Sequence, residues 1–259
     1  MKKIYLFIII IILAVALVWF VKNQRSSTEI SVEKGLEMSV SSISQTDNFY
    51  NIQVEYPQFG DIAAAFNNQV SSLITGEIVT FKKNAKDNWD ARIATTPPSQ
   101  TVLENPAAPF DFIANWKPVQ LNKEFLSFVI NIYYFSGGAH GLNEVYAFNY
   151  DIVQKKEITI NDFLGNFPQA LQELSQIAAQ QVTSQLQSSG VQIDDVLTSM
   201  IQQGTKPTLD NYHNFNFNYN SLTIYFQQYQ VAPGYVGPVT ITIFKNTLYE
   251  NSIMSDYLK

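Results

Sequence analysis

An unbroken apolar run from Ile4 to Val21, entered through Lys2 and Lys3 and left through Lys22 and Arg25, constrains this chain more than any other feature. At about 1.5 Å of rise per residue, one helix of this length crosses a bilayer core. Trp19 sits near its exit, where amphipathic rings favour the membrane interface. Ala14-Val15-Ala16 offers a cleavage site after Ala16. However, the apolar core of a signal peptide is only about 7–15 residues long, and here it continues through Leu17 to Val21. The reading is an uncleaved anchor at 4–21 behind a short cytoplasmic tail at 1–3. Two basic residues flank each side, so the free N-terminal amine tips the N-terminus inward and the bulk of the chain outward.

All 22 acidic residues lie beyond the anchor, with 12 of the 16 basic ones, so that portion carries a net charge of −10. Such a surface repels nucleic acid and is steered towards basic partners. There is no cysteine. Disulfides, thiol catalysis, a lipid-modified cysteine anchor and thiolate metal sites are therefore excluded, and burial alone must hold the fold.

Beyond the anchor, the pattern alternates between two periods. Residues 22–45 are polar and Ser-rich and read as a stalk whose end can form a first strand. Asn51 to Tyr56 alternates as a half-buried strand, stopped by Pro57. Asp61 then caps a helix whose apolar face is Ile62, Phe66, Val70, Leu73, Ile74, Ile78 and Phe81, with Lys82 and Lys83 in its last turn. Asp87 to Asn122 holds Pro97, Pro98, Pro106, Pro109 and Pro118 and reads as a long excursion.

Phe125 to Phe135 and Val145 to Tyr150 read as a hairpin broken by Gly137, Gly138 and Gly141. Pro168 suits a first helical position, and Leu171, Leu174, Ala178, Val182 and Leu186 mark a second helix. A third runs from Ile193 to Gln203, closed by Gly204. Strands follow at Phe215 to Tyr219, then at Leu222 to Phe226 after an Asn220-Ser221 turn, and at Val239 to Phe244. The expected fold is α+β, a mainly antiparallel sheet with helices packed against it, preceded by the one transmembrane helix. An N-terminal α+β subdomain at 46–122 would precede a C-terminal α+β domain at 123–259.

Ser136-Gly137-Gly138-Ala139-His140-Gly141 resembles the hairpin of a bacterial extracytoplasmic domain family of unknown function. Phe148 to Asp151, Ile158 to Leu164, Leu222 to Tyr229, Val231-Ala232-Pro233 and Gly237 fit the same pattern. Tyr50 to Pro57 and Phe66-Asn67-Asn68 resemble the smaller domain that usually precedes it. Members of this family form the outer part of lysozyme-responsive anti-sigma factors of the RsiV type, and they occur ahead of the catalytic domain in some peptidoglycan deacetylases. The resemblance implies a binding or sensing module at the cell wall. Three residues precede the anchor and none follows Lys259, so neither a sigma-factor-holding domain nor a deacetylase domain is expected.

Candidate site residues follow from chemistry. His140 on the glycine-rich hairpin is either a ligand-contacting imidazole or a turn residue bonded to nearby backbone. Gly138 beside it has a conformational explanation. Tyr225, Tyr229 and Tyr235 offer a platform for sugar rings or a protein partner, although period-two aromatics also describe strand packing. His140 and His213 are the only histidines, so no metal site and no cofactor is expected, and no triad can be assembled around Ser136. The leading function is a non-catalytic extracytoplasmic module that binds cell-wall glycan or a basic wall-active protein such as lysozyme. The alternative is a wall hydrolase using His140 with a nearby carboxylate.

Overall fold

Two sheets, each with helices against one face, make up the described part of the chain. The computed structural model describes residues 36–95, 109–138, 140–165 and 168–258. The proposed anchor at 4–21, Pro97, Pro98, Pro106 and the side chain of Ile62 lie outside the described residues. Among those described, no helix is long and apolar enough to cross a membrane.

The first sheet has six strands in chain order: β1 (Met38–Thr46), β2 (Tyr50–Phe59), β3 (Phe110–Leu121), β4 (Phe125–Phe135), β5 (Leu142–Asp151) and β6 (Lys156–Glu157). All neighbours are antiparallel except β2 and β3, which are joined by the crossover that holds α1 (Ala64–Thr95). Helix α1 buries Phe66, Val70, Ile74, Ile78, Phe81 and Ala85, while Leu73 is only half-buried. Each large apolar side chain contributes roughly 1.5–3 kcal/mol of transfer free energy. Phe66 sits at the centre of this core, against Phe59, Phe128, Phe148 and Tyr150.

The second sheet has the order β7 (Phe215–Asn218), β8 (Ser221–Phe226), β9 (Val239–Phe244), all antiparallel. Its inner face packs with α3 (Pro168–Ser188) and α4 (Asp195–Gly204) around Leu174, Ala178, Leu197, Ile201, Ile224 and Phe226. Three short helices complete the fold: α2 (Ile160–Phe163), α5 (Leu209–Tyr212) and α6 (Lys245–Glu250). In α2, Thr159 and Asp162 form a capping box, which explains the Thr-Ile-Asn-Asp run physically.

Several expectations need correction. The α+β class holds, but the strands form two sheets rather than one. Helix α1 does not end at Lys83. Ala85 continues its apolar stripe, and Lys83 and Lys86 pair with Asp87 and Asp90 one turn on. Nor are residues 110–121 part of an excursion. They form β3, whose Pro118 is accommodated by a register shift between Pro118 and Gln120. The end of the Ser-rich segment does form a strand, as its reading allowed: from Met38 it is the edge strand β1, held by pairing with β2. The β7–β8 turn falls on Tyr219-Asn220, and Ser221 already pairs with Asn218.

Candidate functional site

Strand β5 is the last long strand of the first sheet, and only Tyr150 and Asp151 pair with β6. The rest of its outer edge would present bare backbone groups. Side-chain amides from around the second sheet fill that edge instead. Gln228 Oε1 accepts the Asn143 amide at 3.0 Å, Gln227 Oε1 the Val145 amide at 3.1 Å, and Asn214 Oδ1 the Ala147 amide at 2.7 Å. The amides of Asn214 and Gln227 both donate to Val145 O.

Two hollows open along this edge and share Tyr146. One, of about 320 Å³, lies between Leu142, Asn143, Glu144, Tyr146, Gln228 and Tyr229. The other, of about 550 Å³, is bounded by Gln69, Leu73, Tyr146, Glu157, His213 and Asn214, among others. Together they follow β5 from Leu142 to Asn149 and on to Asn161. The strand part alone spans about 23 Å at roughly 3.3 Å per residue.

The hydrogen-bond chemistry at the shared point is unusual. Tyr146 Oη lies 2.7 Å from Glu144 Oε2 and 2.9 Å from Glu77 Oε1 of α1, and Tyr134 Oη donates to Glu144 Oε1 at 3.1 Å. Burial pushes Glu77 up from its ordinary carboxyl value. The Tyr146 hydroxyl opposes this and the Glu144 charge reinforces it. Burial and the same carboxylates push the Tyr134 hydroxyl up to about 12 and the Tyr146 hydroxyl further up.

The structure brings some of the expected residues together. His140 Nε2 lies 3.4 Å from Tyr229 Oη, and its Nδ1 lies 2.9 Å from Gly141 O. Its ring nitrogens thus face a phenol and a carbonyl. Tyr229, about half exposed and at positive φ, walls the smaller hollow. A Cβ on Gly234 would collide with the Tyr229 ring, and one on Gly141 with the Tyr133 ring. Each ring therefore packs its hydroxyl end closely against a glycine. Tyr235, next to Gly234, is the most exposed of the three candidate tyrosines at 79%. Gly138 adopts φ +99° at the hairpin tip, with open space around its Cβ position. Tyr225 stands apart: it is half-buried on β8, burial pushes its hydroxyl up to about 12, and it walls neither hollow.

Sequence reasoning missed Glu77, Glu144, Tyr146, Gln227 and Gln228 as site residues. Glu144 and Tyr146 share one face of β5, but Glu77 reaches them from 69 positions away, and no local pattern announces that. Among the described residues, no group of three or more His, Asp or Glu side chains gathers to hold a metal ion.

Residues 43–143 match the family described as Deacetylase PdaC, and residues 161–245 match a protein family of unknown function, DUF3298. The two family models match in tandem; the glycine-rich hairpin at 136–141, read with the family of unknown function, falls inside the first match, while Ile158 to Leu164, Leu222 to Tyr229 and Gly237 lie in or at the edge of the second. It is 25% identical over 258 residues to the peptidoglycan-N-acetylmuramic acid deacetylase PdaC of Bacillus subtilis. That match covers 97% of this chain but 50% of the relative, so the chain spans about half that protein's length. Two solved structures share the fold. A DUF3298-family member from Bacteroides fragilis superposes with TM-score 0.55 at 18% identity, covering 83% of this chain and 92% of the other. A DUF3298-family protein from Pseudomonas aeruginosa gives 0.50 at 17% identity, with 86% and 96% covered.

Proposed function

We propose that this protein is an anchored, extracytoplasmic module that binds cell-wall glycan without cleaving it, and that the strand-edge groove is its binding site. The observation that carries the reading is the groove's shape and lining. It is long and open, it follows one strand, and Tyr229 stands half exposed at one end with its ring fixed against Gly234. Sugar recognition combines an apolar ring face with planar polar groups, and here Tyr229 and Tyr146 alternate with Asn143, Glu144 and Gln228. A linear polymer suits two adjoining hollows better than a small metabolite does.

The likeness to a peptidoglycan-modifying enzyme supports a wall ligand. That enzyme's activity belongs to a protein twice as long, of which this chain matches half. The surroundings of His140 supply a phenol and a carbonyl, which favours contact or turn-holding over general-base chemistry.

Co-sedimentation of the full-length protein with purified insoluble peptidoglycan tests the reading. The account expects retention in the pellet, weakened roughly two- to twelvefold in affinity by Tyr229→Ala, the value of one aromatic stacking contact of about 0.5–1.5 kcal/mol. No retention at low salt would remove the glycan reading, and capture by lysozyme in its place would identify a basic wall-active protein as the ligand. Protease added outside intact cells should digest the portion beyond residue 26. Full protection would place it on the cytoplasmic side and overturn the wall-facing account.

A further inference from the structure

Three oxygen–oxygen contacts link α1, β4 and β5 at the waist of the groove: Tyr134 to Glu144, Tyr146 to Glu144, and Tyr146 to Glu77. Each contact needs one hydrogen between its oxygens. The two phenols supply two: Tyr134 gives its hydrogen to Glu144, and Tyr146 has one hydrogen for two carboxylates, which only accept when ionised. One of the two Tyr146 contacts is left needing a third hydrogen. A neutral carboxylic acid that donates to the Tyr146 oxygen supplies it, and Glu77, where burial favours the neutral form, is the group that holds it. The chain then runs from the Glu77 acid through the Tyr146 hydroxyl to Glu144. Tyr146 borders both hollows and Glu144 borders the smaller one, so this chain holds the groove's shared wall to the helix.

We propose that Glu77, Tyr146 and Glu144 form a proton-holding latch between α1 and β5, closed while Glu77 is protonated and released as rising pH removes that proton. This rests on the glycan-binding reading only for its consequence, that a released latch loosens Tyr146 and weakens binding in the groove. When Glu77 ionises, two carboxylates face a single phenolic hydrogen and repel one another. The groups that act on Glu77 are Tyr146 and Glu144 of β5, while Tyr134 of β4 acts through Glu144. Burial, the largest influence on Glu77, favours its neutral form. The Tyr146 hydroxyl is itself pushed up and stays protonated. Because Glu77 is raised in the folded state, that state keeps a proton the unfolded chain has already lost. Stability from the closed latch is therefore present at the acid end of the carboxylate range, and it declines as pH rises through the folded-state pKa of Glu77.

Glu77→Gln replaces the acid by an amide that donates to Tyr146 at every pH. Thermal melts of the full-length wild type and this variant across the acid-to-neutral range read the latch without any ligand. The wild-type melting temperature should fall relative to the variant as pH rises, and infrared difference spectra should show a protonated carboxyl band in the wild type that the variant lacks. Parallel melting curves and no such band would overturn the latch. In the binding arm, affinity of the wild type for peptidoglycan should fall at least threefold over the same range, while Glu77→Gln stays level. His140 stands on Tyr229 at the groove's outer end, so the comparison with the variant at each pH, not the wild-type profile alone, is what reads Glu77. Level binding in both proteins would refute control of the groove and leave glycan recognition standing. Absence of binding in both at every pH would remove glycan recognition and with it control of the groove, leaving the latch to be judged by the melts and spectra.

Discussion

Gln227 grips Val145 by both of its backbone groups: its side-chain oxygen accepts the Val145 amide at 3.1 Å, and its amide donates to the Val145 carbonyl. One side chain thus does for this residue what a neighbouring strand would do. The same device, repeated by Gln228 and Asn214, fills the open edge of one sheet with groups from around the other. It also leaves room beside β5 for a groove, where a real strand would have filled the space.

Replacing Gln227 by Ala strips the Val145 amide of its partner at a buried position, while Asn214 still donates to the carbonyl. An unsatisfied buried group costs about 1–3 kcal/mol, so urea denaturation should show a loss in that range. The Gln228→Ala loss should be smaller, because the Asn143 amide it frees is exposed and the Gly234 carbonyl it frees is only half-buried. Equal, negligible losses would mean that water replaces these side chains and the edge does not depend on them.

Asn216 of β7 is the deepest polar link between the two sheets. Its amide reaches Phe128 O at 3.0 Å, Phe148 O at 3.1 Å and the Ser127 hydroxyl at 3.1 Å, all in a fully buried setting. Asn216→Leu keeps the volume and removes a donor that serves Ser127 Oγ, Asn149 Oδ1 and two carbonyls that also face each other across β4 and β5. A loss of about 1–3 kcal/mol is expected. Asn216→Asp should be worse, since it turns a carboxylate towards those carbonyls. A melting temperature unchanged in the Leu variant would show that the junction is held by packing alone.

Much of this architecture was legible from period. The α1 stripe through Phe66, Val70, Ile74, Ile78 and Phe81 and the inward Phe215, Phe217, Leu222 and Ile224 are buried where alternation placed them. Strand β3 was hidden because Pro118 mimics a loop signal, although a bulge absorbs it. Strand β1 showed in the sequence only as a strand that the end of the stalk can form, because an edge strand exposed on both sides has little apolar pattern to show. The site was harder still. Tyr229 and His140 stood out by residue type, but Glu77 and Tyr146 meet only through tertiary packing, and the glutamines of Phe226-Gln227-Gln228-Tyr229 look like ordinary surface residues until their partners are known.

The hairpin separates conformation from chemistry. Gly137 and Gly138 adopt φ of +116° and +99°, a region that suits glycine, so Gly138→Val should cost about 1–3 kcal/mol despite open space at the tip. His140→Ala removes contacts to a carbonyl and a phenol and should cost less than about 1.5 kcal/mol. If His140 touches glycan, its loss lowers affinity with the melting temperature unchanged. If it only steadies Tyr229, affinity follows stability. Melts and binding isotherms on the two variants decide between these roles.

Hydrogen–deuterium exchange on the full-length protein, with and without soluble glycan strands released from peptidoglycan, tests the central claim most directly. The account predicts slowed exchange confined to β5 from Leu142 to Asn149 and to the segment from Gln227 to Tyr235. Protection absent from both segments, or placed instead on the outer face of the second sheet around Thr223 and Thr240, would contradict the assignment of the groove as the binding site.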